Sequence, residues 1–177
     1  MDAYGRGDRA SPPKRPSMNA RATLATPFGA LCVQSDGLAI VASEFRVESR
    51  RSVPRTGDAL LNEARRQVNA YFKRRLRRFD LPLRFAGTAF QNEVWRAVSD
   101  LAFGQVVSYA EVARAVGRPL AHRGVAAAMG RSQLDLFMPA HRVIGSDGTV
   151  KGASPQSVRA KLLEFERMNV PLAISTV

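Results

Sequence analysis

Clustered apolar positions predict strands at the start of the chain, over residues 21–46. One apolar run covers residues 30–33 and a second covers residues 38–41, with Ser35-Asp36-Gly37 between them. A short glycine-containing turn between two apolar runs is typical of a β-hairpin. Cys32 lies in the first run, where a small and weakly polar side chain suits a buried position. We therefore expect Cys32 to be a core residue and not a nucleophile.

Helical periodicity replaces this pattern over residues 58–79. Apolar side chains recur there at helical spacing: Leu61, Ala64, Val68, Tyr71 and Phe72. Basic side chains lie off this stripe or directly behind it: Arg65, Arg66, Lys73, Arg74, Arg75, Arg77 and Arg78. This basic cluster is compatible with attraction of DNA, and equally with an ordinary solvated face.

Two capping boxes mark helix starts in the second half of the chain. Thr88 and Gln91 form one pair, and Ser108 and Glu111 form the other. The first predicts a helix with a single apolar face: Phe90, Val94, Trp95, Val98 and Leu101. A tryptophan on such a face is most simply a core residue.

The second capping box opens a short helix from Tyr109 to about Val116, and Gly117 separates it from a helix over residues 120–130. Two short helices joined by a glycine turn have the outline of a helix-turn-helix. Small residues line one face of the second helix: Gly124, Ala126, Ala127 and Ala128. Such a face permits close approach to a DNA groove or close packing between helices. Arg123 stands among them, either as a surface ion-pair partner or as a charged probe into DNA.

Charge sharpens this picture. The 177 residues carry a formal net charge of +12, and the sequence pI is about 11.2. This balance favours contact with nucleic-acid phosphates, with nonspecific binding to acidic surfaces as the alternative. Residues 1–20 mix prolines, glycines and basic residues without apolar periodicity, which predicts a disordered basic tail.

Other compositional features exclude several classes of protein. Cys32 is the single cysteine, so neither an intrachain disulfide nor a cysteine-rich zinc site can form. No apolar run is long enough to span a membrane, and the start of the chain lacks a signal-type segment. We therefore expect a cytoplasmic protein, associated with the nucleoid if the source is a bacterium.

Several ordered motifs resemble the O6-alkylguanine-DNA alkyltransferases. In the C-terminal half they are residues 87–91 with Val94-Trp95, residues 103–109, residues 122–125, Pro139-Ala140-His141-Arg142-Val143, and residues 161–166. Tyr71-Phe72 and residues 79–83 are similar to the family's N-terminal domain, so the match covers roughly residues 21–170. The family carries its alkyl-accepting cysteine where this chain has Ala140. A methyl side chain has no lone pair with which to attack an alkyl carbon.

The resemblance implies that the helix-turn-helix docks in the DNA minor groove and that the damaged guanine rotates out of the stack. It assigns to Arg123 the filling of the vacated gap, and to Tyr109 the contact with the target phosphate and the flipped base. It implies DNA contacts at Tyr109, Arg123, Gly124, Ala126 and Ser132. It implies a base pocket at Met129, Pro139, Val143, Ala153 and Ser154. The catalytic positions fall on Ala140, His141 and Glu166, the last two matching a glutamate–histidine–water chain that promotes the thiolate.

The chain departs from the family pattern in two segments. Ser132-Gln133 stand where the family has an Asn-Pro hinge, and residues 152–155 replace its Tyr-Ser-Gly-Gly substrate loop. Ser154 and Pro155 instead have the pattern of an N-cap and a first-turn proline for the last helix. The change leaves open how this loop would contact the guanine oxygen.

Three hypotheses stay open. The preferred one is an alkyltransferase-like DNA-repair protein that binds O6-alkylguanine in double-stranded DNA, flips the base, transfers no alkyl group and recruits other repair proteins. The second is a methylated-DNA–protein-cysteine methyltransferase inactivated by an engineered Cys-to-Ala change. The third is a basic DNA-binding module without lesion specificity.

The predicted fold is α+β. After the tail over residues 1–20, a small N-terminal sheet-plus-helix subdomain over residues 21–84 packs on a mostly helical C-terminal subdomain over residues 85–177, which holds the helix-turn-helix. We expect a monomer with no membrane contact and no cofactor. We also expect no structural metal, because His122 and His141 both belong to the C-terminal half.

Overall fold

The computed structural model describes residues 20–46, 57–148, 150 and 157–169. Apart from Ala20, the predicted basic tail lies outside the described residues. So do Ala153 and Ser154, two of the residues expected in the base pocket.

A three-stranded antiparallel sheet forms the N-terminal part, with β1 (Ala20–Thr26), β2 (Gly29–Ser35) and β3 (Ile40–Arg46) side by side in that order. The predicted hairpin is confirmed as β2 and β3. Asp36 closes its turn, because its Oδ1 accepts hydrogen bonds from the amides of residues 38 and 39 at 3.0 and 2.9 Å.

The two faces of β2 differ in burial. Leu31 and Val33 are buried in the core, whereas Cys32 between them is only half-buried. Successive strand residues point to opposite faces, so Cys32 must face outward when its neighbours face inward. The prediction that Cys32 is a core residue was therefore wrong.

Helix α1 (Ala59–Phe72) packs against β1 and β2 and begins at Asp58, whose side chain accepts a hydrogen bond from the Leu61 amide. The helix ends seven residues before the predicted end at residue 79. Arg74 adopts a left-handed backbone with φ of 61°, and the Arg75 amide turns back to the carbonyl of residue 70. The arginine-rich run from residue 73 onward therefore lies beyond the helix.

The C-terminal part is mostly helical. Its elements are α2 (Ala89–Ser99), β4 (Val107–Ser108), α3 (Tyr109–Ala115), α4 (His122–Gly130), a 3-10 turn (Ala140–Arg142), β5 (Val143–Ile144) and α5 (Val158–Arg167). Both predicted capping boxes are confirmed, at the starts of α2 and α3. Two other helix starts come later than predicted: α4 begins at residue 122, and α5 is capped by Ser157, whose Oγ accepts from the Ala160 amide.

One continuous core joins the two parts, and the α+β prediction is confirmed. Trp95 is 4% exposed, and its indole nitrogen donates to the Ala128 carbonyl at 2.9 Å. The predicted core position of Trp95 is thus confirmed, and this bond ties α2 to α4. Within the described ranges, no helix combines the length and apolarity needed to cross a bilayer.

Candidate functional site

The segment that contains Ala140 is held against the start of the helix-turn-helix. Strands β4 and β5 pair in parallel, with Val107 opposite Val143 and Ser108 opposite Ile144. Because the two strands run in parallel, the 3-10 turn that precedes β5 lies beside the residues before β4, and Tyr109, which directly follows β4, lies just beyond the end of β5. Sequence reasoning did not find this two-residue pairing, which is too short to leave a periodic pattern.

Ser43 of β3 binds residues 133–135, which precede Ala140 in the chain, to the N-terminal sheet. Its amide donates to the Gln133 carbonyl at 2.7 Å, and its hydroxyl donates to the Asp135 carbonyl at 2.7 Å. Its carbonyl accepts from the Asp135 amide at 3.0 Å. Three bonds from one buried serine place residues 133–135 firmly. An isolated serine in a strand carries no sequence signal for this role.

Leu136 lies next in the chain in a strained backbone conformation. It is buried, yet its φ is +69°, and the Phe137 amide bonds back to the Asp135 carbonyl at 2.9 Å. A left-handed conformation costs about 1–3 kcal/mol for a residue with a side chain. The Ser43 bonds and the burial of Leu136 hold this turn, which aims the following residues toward Ala140.

Glu166 of α5 is the centre of a buried hydrogen-bond network. Its Oε1 accepts from the Tyr71 hydroxyl at 2.8 Å, from His141 Nε2 at 2.9 Å and from Arg142 Nη2 at 2.7 Å. Its Oε2 accepts from the Gly104 amide and from Arg142 Nε, both at 2.9 Å. The structure therefore brings together the predicted His141 and Glu166. It also adds Tyr71 from α1, which the sequence placed in an apolar stripe and in a family motif but not at the site.

The charges in this network are fixed by its surroundings. Burial alone would raise the pKa of Glu166, but the hydrogen bonds and charges of His141 and Arg142 bring it below its usual value. Burial lowers the pKa of His141 and outweighs the hydrogen bond to Glu166. At neutral pH the carboxylate is therefore charged and the imidazole neutral, so the Nε2–H of His141 donates to Glu166 and Nδ1 is left as an acceptor.

Tyr71 completes the network as a donor. Burial, followed by the charge of Glu166 and the hydrogen bond to it, raises the pKa of the Tyr71 hydroxyl. The phenol therefore stays protonated and can only donate to the carboxylate. This bond joins α1 to α5 across the interface between the two parts of the molecule.

A small cavity of about 30 Å³ lies beside Ala140. Its wall includes Asp135, His141, and Val158 and Arg159 of α5. Ala140 is 6% exposed, so its methyl group lies at the edge of this cavity and not on the open surface. A cavity of this size accepts a short substituent or one to two water molecules.

The residues predicted to contact DNA lie on or near α3 and α4. Arg123 is exposed, and it makes no ion pair within the described part of the chain. This arrangement removes the surface ion-pair alternative for Arg123 among those residues. A β-carbon added to Gly124 would lie 3.1 Å from Phe90, so the absence of a side chain there serves packing between α4 and α2. Ala126 is half-buried on the same helix.

The remaining predicted positions surround the turn at Ala140. Met129, Pro139 and Val143 are buried. Ser132 is half-buried, and its hydroxyl accepts a hydrogen bond from the Leu134 amide at 3.3 Å. Burial raises the pKa of the Tyr109 hydroxyl, and the positive charge of Arg159 partly offsets this rise. The two side chains are therefore close enough to interact electrostatically.

Two family profiles match nearly all of the described chain. The 6-O-methylguanine DNA methyltransferase ribonuclease-like domain matches residues 20–85, and the DNA binding domain of the same family matches residues 89–168.

Individual relatives agree with the profiles. The constitutive methylated-DNA–protein-cysteine methyltransferase of Bacillus subtilis is 36% identical over 161 residues, which cover 86% of this chain and 98% of that protein. The Methanosarcina barkeri methylated-DNA–protein-cysteine methyltransferase is 42% identical over 109 residues, covering 61% of this chain and 69% of that protein.

Solved structures show the same fold. The Mycobacterium tuberculosis O6-methylguanine methyltransferase superposes with a TM-score of 0.76 at 31% identity, covering 87% of this chain and 96% of that one. The structure of Mycobacterium tuberculosis OGT in complex with DNA gives 0.72 at 33% identity, covering 84% and 93%. With both domains matched in order and a nearly full-length relative above 30% identity, this chain belongs to the 6-O-methylguanine DNA methyltransferase family.

Proposed function

We propose that this protein binds O6-alkylguanine in double-stranded DNA, rotates the damaged base toward Ala140 so that the O6 substituent enters the cavity there, and transfers no alkyl group. The observation that carries the proposal is the cavity at Ala140. In the family arrangement the alkyl carbon approaches the residue at this position, and here that residue offers only a methyl group. The lesion is therefore held without being repaired, and other repair proteins act on it.

The DNA-facing surface supports the same proposal. Arg123 is exposed on α4 without an ion-pair partner in the described ranges, so its guanidinium is available to replace an extruded base. Tyr109 lies at the start of α3, directly after the strand that pairs with β5. The relative solved with DNA makes DNA the expected partner, and the net charge of +12 favours it further.

Competition binding tests the proposal directly. A labelled duplex with one O6-methylguanine is displaced by unlabelled duplexes with either O6-methylguanine or guanine, and mass spectrometry follows the protein. We expect clear preference for the lesion and an unchanged protein mass. Equal affinity for both duplexes would support the nonspecific DNA-binding alternative instead. A mass gain of one alkyl group would end the proposal.

Arg123→Ala separates base flipping from general attraction. Loss of the gap-filling group should weaken binding to the lesion strongly while the fold is preserved. Arg66→Ala is the matched control, because Arg66 is exposed on α1 and pairs with Glu63 at 2.5 Å. An Arg123 variant with unchanged lesion affinity would contradict the flipping step.

A second candidate is a methyltransferase whose acceptor cysteine has been replaced. It is favoured by the formed His141–Glu166 bond of 2.9 Å, the pair that serves thiolate formation in the family. Ala140→Cys tests it, because rapid transfer of a methyl group from DNA to that variant would show that the chain lacks only the acceptor thiol for alkyl transfer. A variant that still binds the lesion without becoming methylated would favour the first function.

A further inference from the structure

The cavity beside Ala140 has two charged groups in an otherwise mostly apolar wall. Asp135 and Arg159 both line it, and Arg159 Nη2 lies 3.9 Å from Asp135 Oδ1. Their side chains are 31% and 33% exposed, so each is partly withdrawn from water. Because both residues form part of the wall of a cavity of about 30 Å³, a group that enters it lies close to both side chains.

The carboxylate of Asp135 is held in place. Both backbone polar groups of Asp135 bond to Ser43, and its Oδ2 accepts from the Phe45 amide at 3.3 Å. The position of this carboxylate is therefore set by β3 and not by Arg159. A fixed acceptor at the wall of a small cavity discriminates between ligands by their hydrogen-bonding groups.

Arg159 is bound much more loosely. It lies in the first turn of α5, and the 3.9 Å approach to Asp135 is too long for a hydrogen bond. Within the described ranges its guanidinium makes no shorter polar contact. A guanidinium has five N–H donors, so Arg159 keeps donors for a ligand without giving up its attraction to Asp135.

We propose that Asp135 and Arg159 select O6 adducts that end in a neutral hydroxyl group over apolar adducts of the same length. A 2-hydroxyethyl group can donate to the Asp135 carboxylate and accept from Arg159 at once. A propyl group of the same size would displace water from both charges and replace none of its hydrogen bonds. This inference rests on the proposed function, because it takes the cavity as the adduct pocket.

Charge explains why a neutral group is preferred. A carboxymethyl adduct would pair with Arg159 but meet the fixed carboxylate, and a 2-aminoethyl adduct would pair with Asp135 but meet the guanidinium. Like charges in a partly dehydrated site repel each other more strongly than in water. The wild-type pocket should therefore bind both charged adducts less tightly than the hydroxyethyl adduct.

The test is a competition series with one duplex sequence that carries guanine or its O6-propyl, 2-hydroxyethyl, carboxymethyl or 2-aminoethyl derivative. We expect the hydroxyethyl duplex to bind about tenfold more tightly than the propyl duplex, the scale of one or two net hydrogen bonds. Asp135→Asn keeps an acceptor for the Phe45 amide and removes the charge, so it should move the preference to carboxymethyl. Arg159→Gln should move it to 2-aminoethyl, and the control Arg66→Ala should keep the wild-type order.

The outcomes separate the two proposals. If every adduct binds more tightly than guanine but the four adducts are equal, the charged pair does not select and this inference is overturned while the proposed function stands. If the two charge-neutralising variants keep the wild-type order, the inference is overturned as well. If no adduct binds better than guanine, the proposed function itself fails.

Discussion

Replacing Glu166 by glutamine removes one charge from the centre of the buried network and changes almost nothing in shape. The carboxylate accepts five hydrogen bonds, three at Oε1 and two at Oε2, and its side chain is fully buried. Glutamine would place an NH2 group at one of these two positions. Whichever position it takes, the new donors face at least two existing donors.

The loss of folding free energy in Glu166→Gln can be estimated from the burial of its partner. Arg142 is 6% exposed, and Glu166 is the carboxylate that neutralises it. Removing one partner of a buried ion pair costs about 3–5 kcal/mol, because the other charge is left without compensation. Natural domains are stable by about 5–15 kcal/mol, so the variant should still fold but with little margin.

Urea denaturation measures this loss, with Trp95 as the single tryptophan reporter and far-ultraviolet circular dichroism as the second probe. Glu63→Gln is the matched control, because it makes the same chemical change in an ion pair with a largely exposed arginine on α1. Surface pairs of this kind contribute about 0–1 kcal/mol. A loss in Glu166→Gln no larger than in the control would refute the central role of this carboxylate.

Two further predictions concern acid and packing. The pKa of Glu166 is lower in the folded protein than in the unfolded chain, so its contribution is complete above about pH 4.5 and is lost as pH falls through the folded pKa. The pKa of His141 is also lowered, so protons favour the unfolded chain below about pH 6.5. Urea midpoints should therefore fall steadily on acidification from neutral pH, and a flat profile would contradict both assignments. Gly87→Ala would place a methyl carbon 2.4 Å from the Trp95 ring and should cost about 1–3 kcal/mol with a changed tryptophan emission spectrum, whereas Gly57→Ala, with open space around it, should leave the spectrum as it is.

Local signals in the sequence predicted the elements well where they were self-contained. The capping boxes at Thr88 and Ser108 gave correct helix starts, because a cap is completed by residues three positions apart. The end of α1 was missed because Arg74 adopts a left-handed conformation that is usual for glycine. The start of α5 was misplaced by a Ser-Pro pair that resembles a cap, while the cap itself is Ser157.

Long-range contacts could not be read in the same way. Ser43 bonds to Asp135 across 92 positions, and Tyr71 bonds to Glu166 across 95. Neither pair has a spacing that any local period favours, because the distance is closed by the packing of the two parts of the molecule. The family resemblance did identify His141 and Glu166, since a motif records positions that folding brings together.

The hydrogen-bond network around Glu166 gives His141 and Glu166 a structural role that does not depend on alkyl transfer. Glu166 binds Tyr71, Gly104 and Arg142 as well as His141, so it ties together α1, the loop before β4, the 3-10 turn and α5. A protein that has no thiol to activate would still lose stability without this carboxylate, and its buried histidine would still need a hydrogen-bond partner. The network gives His141 and Glu166 a role in stability in addition to the role that the family resemblance implies, so their presence alone does not decide whether alkyl transfer occurs. The question of transfer is decided at position 140, where the Ala140→Cys variant changes the chemistry and leaves the network untouched.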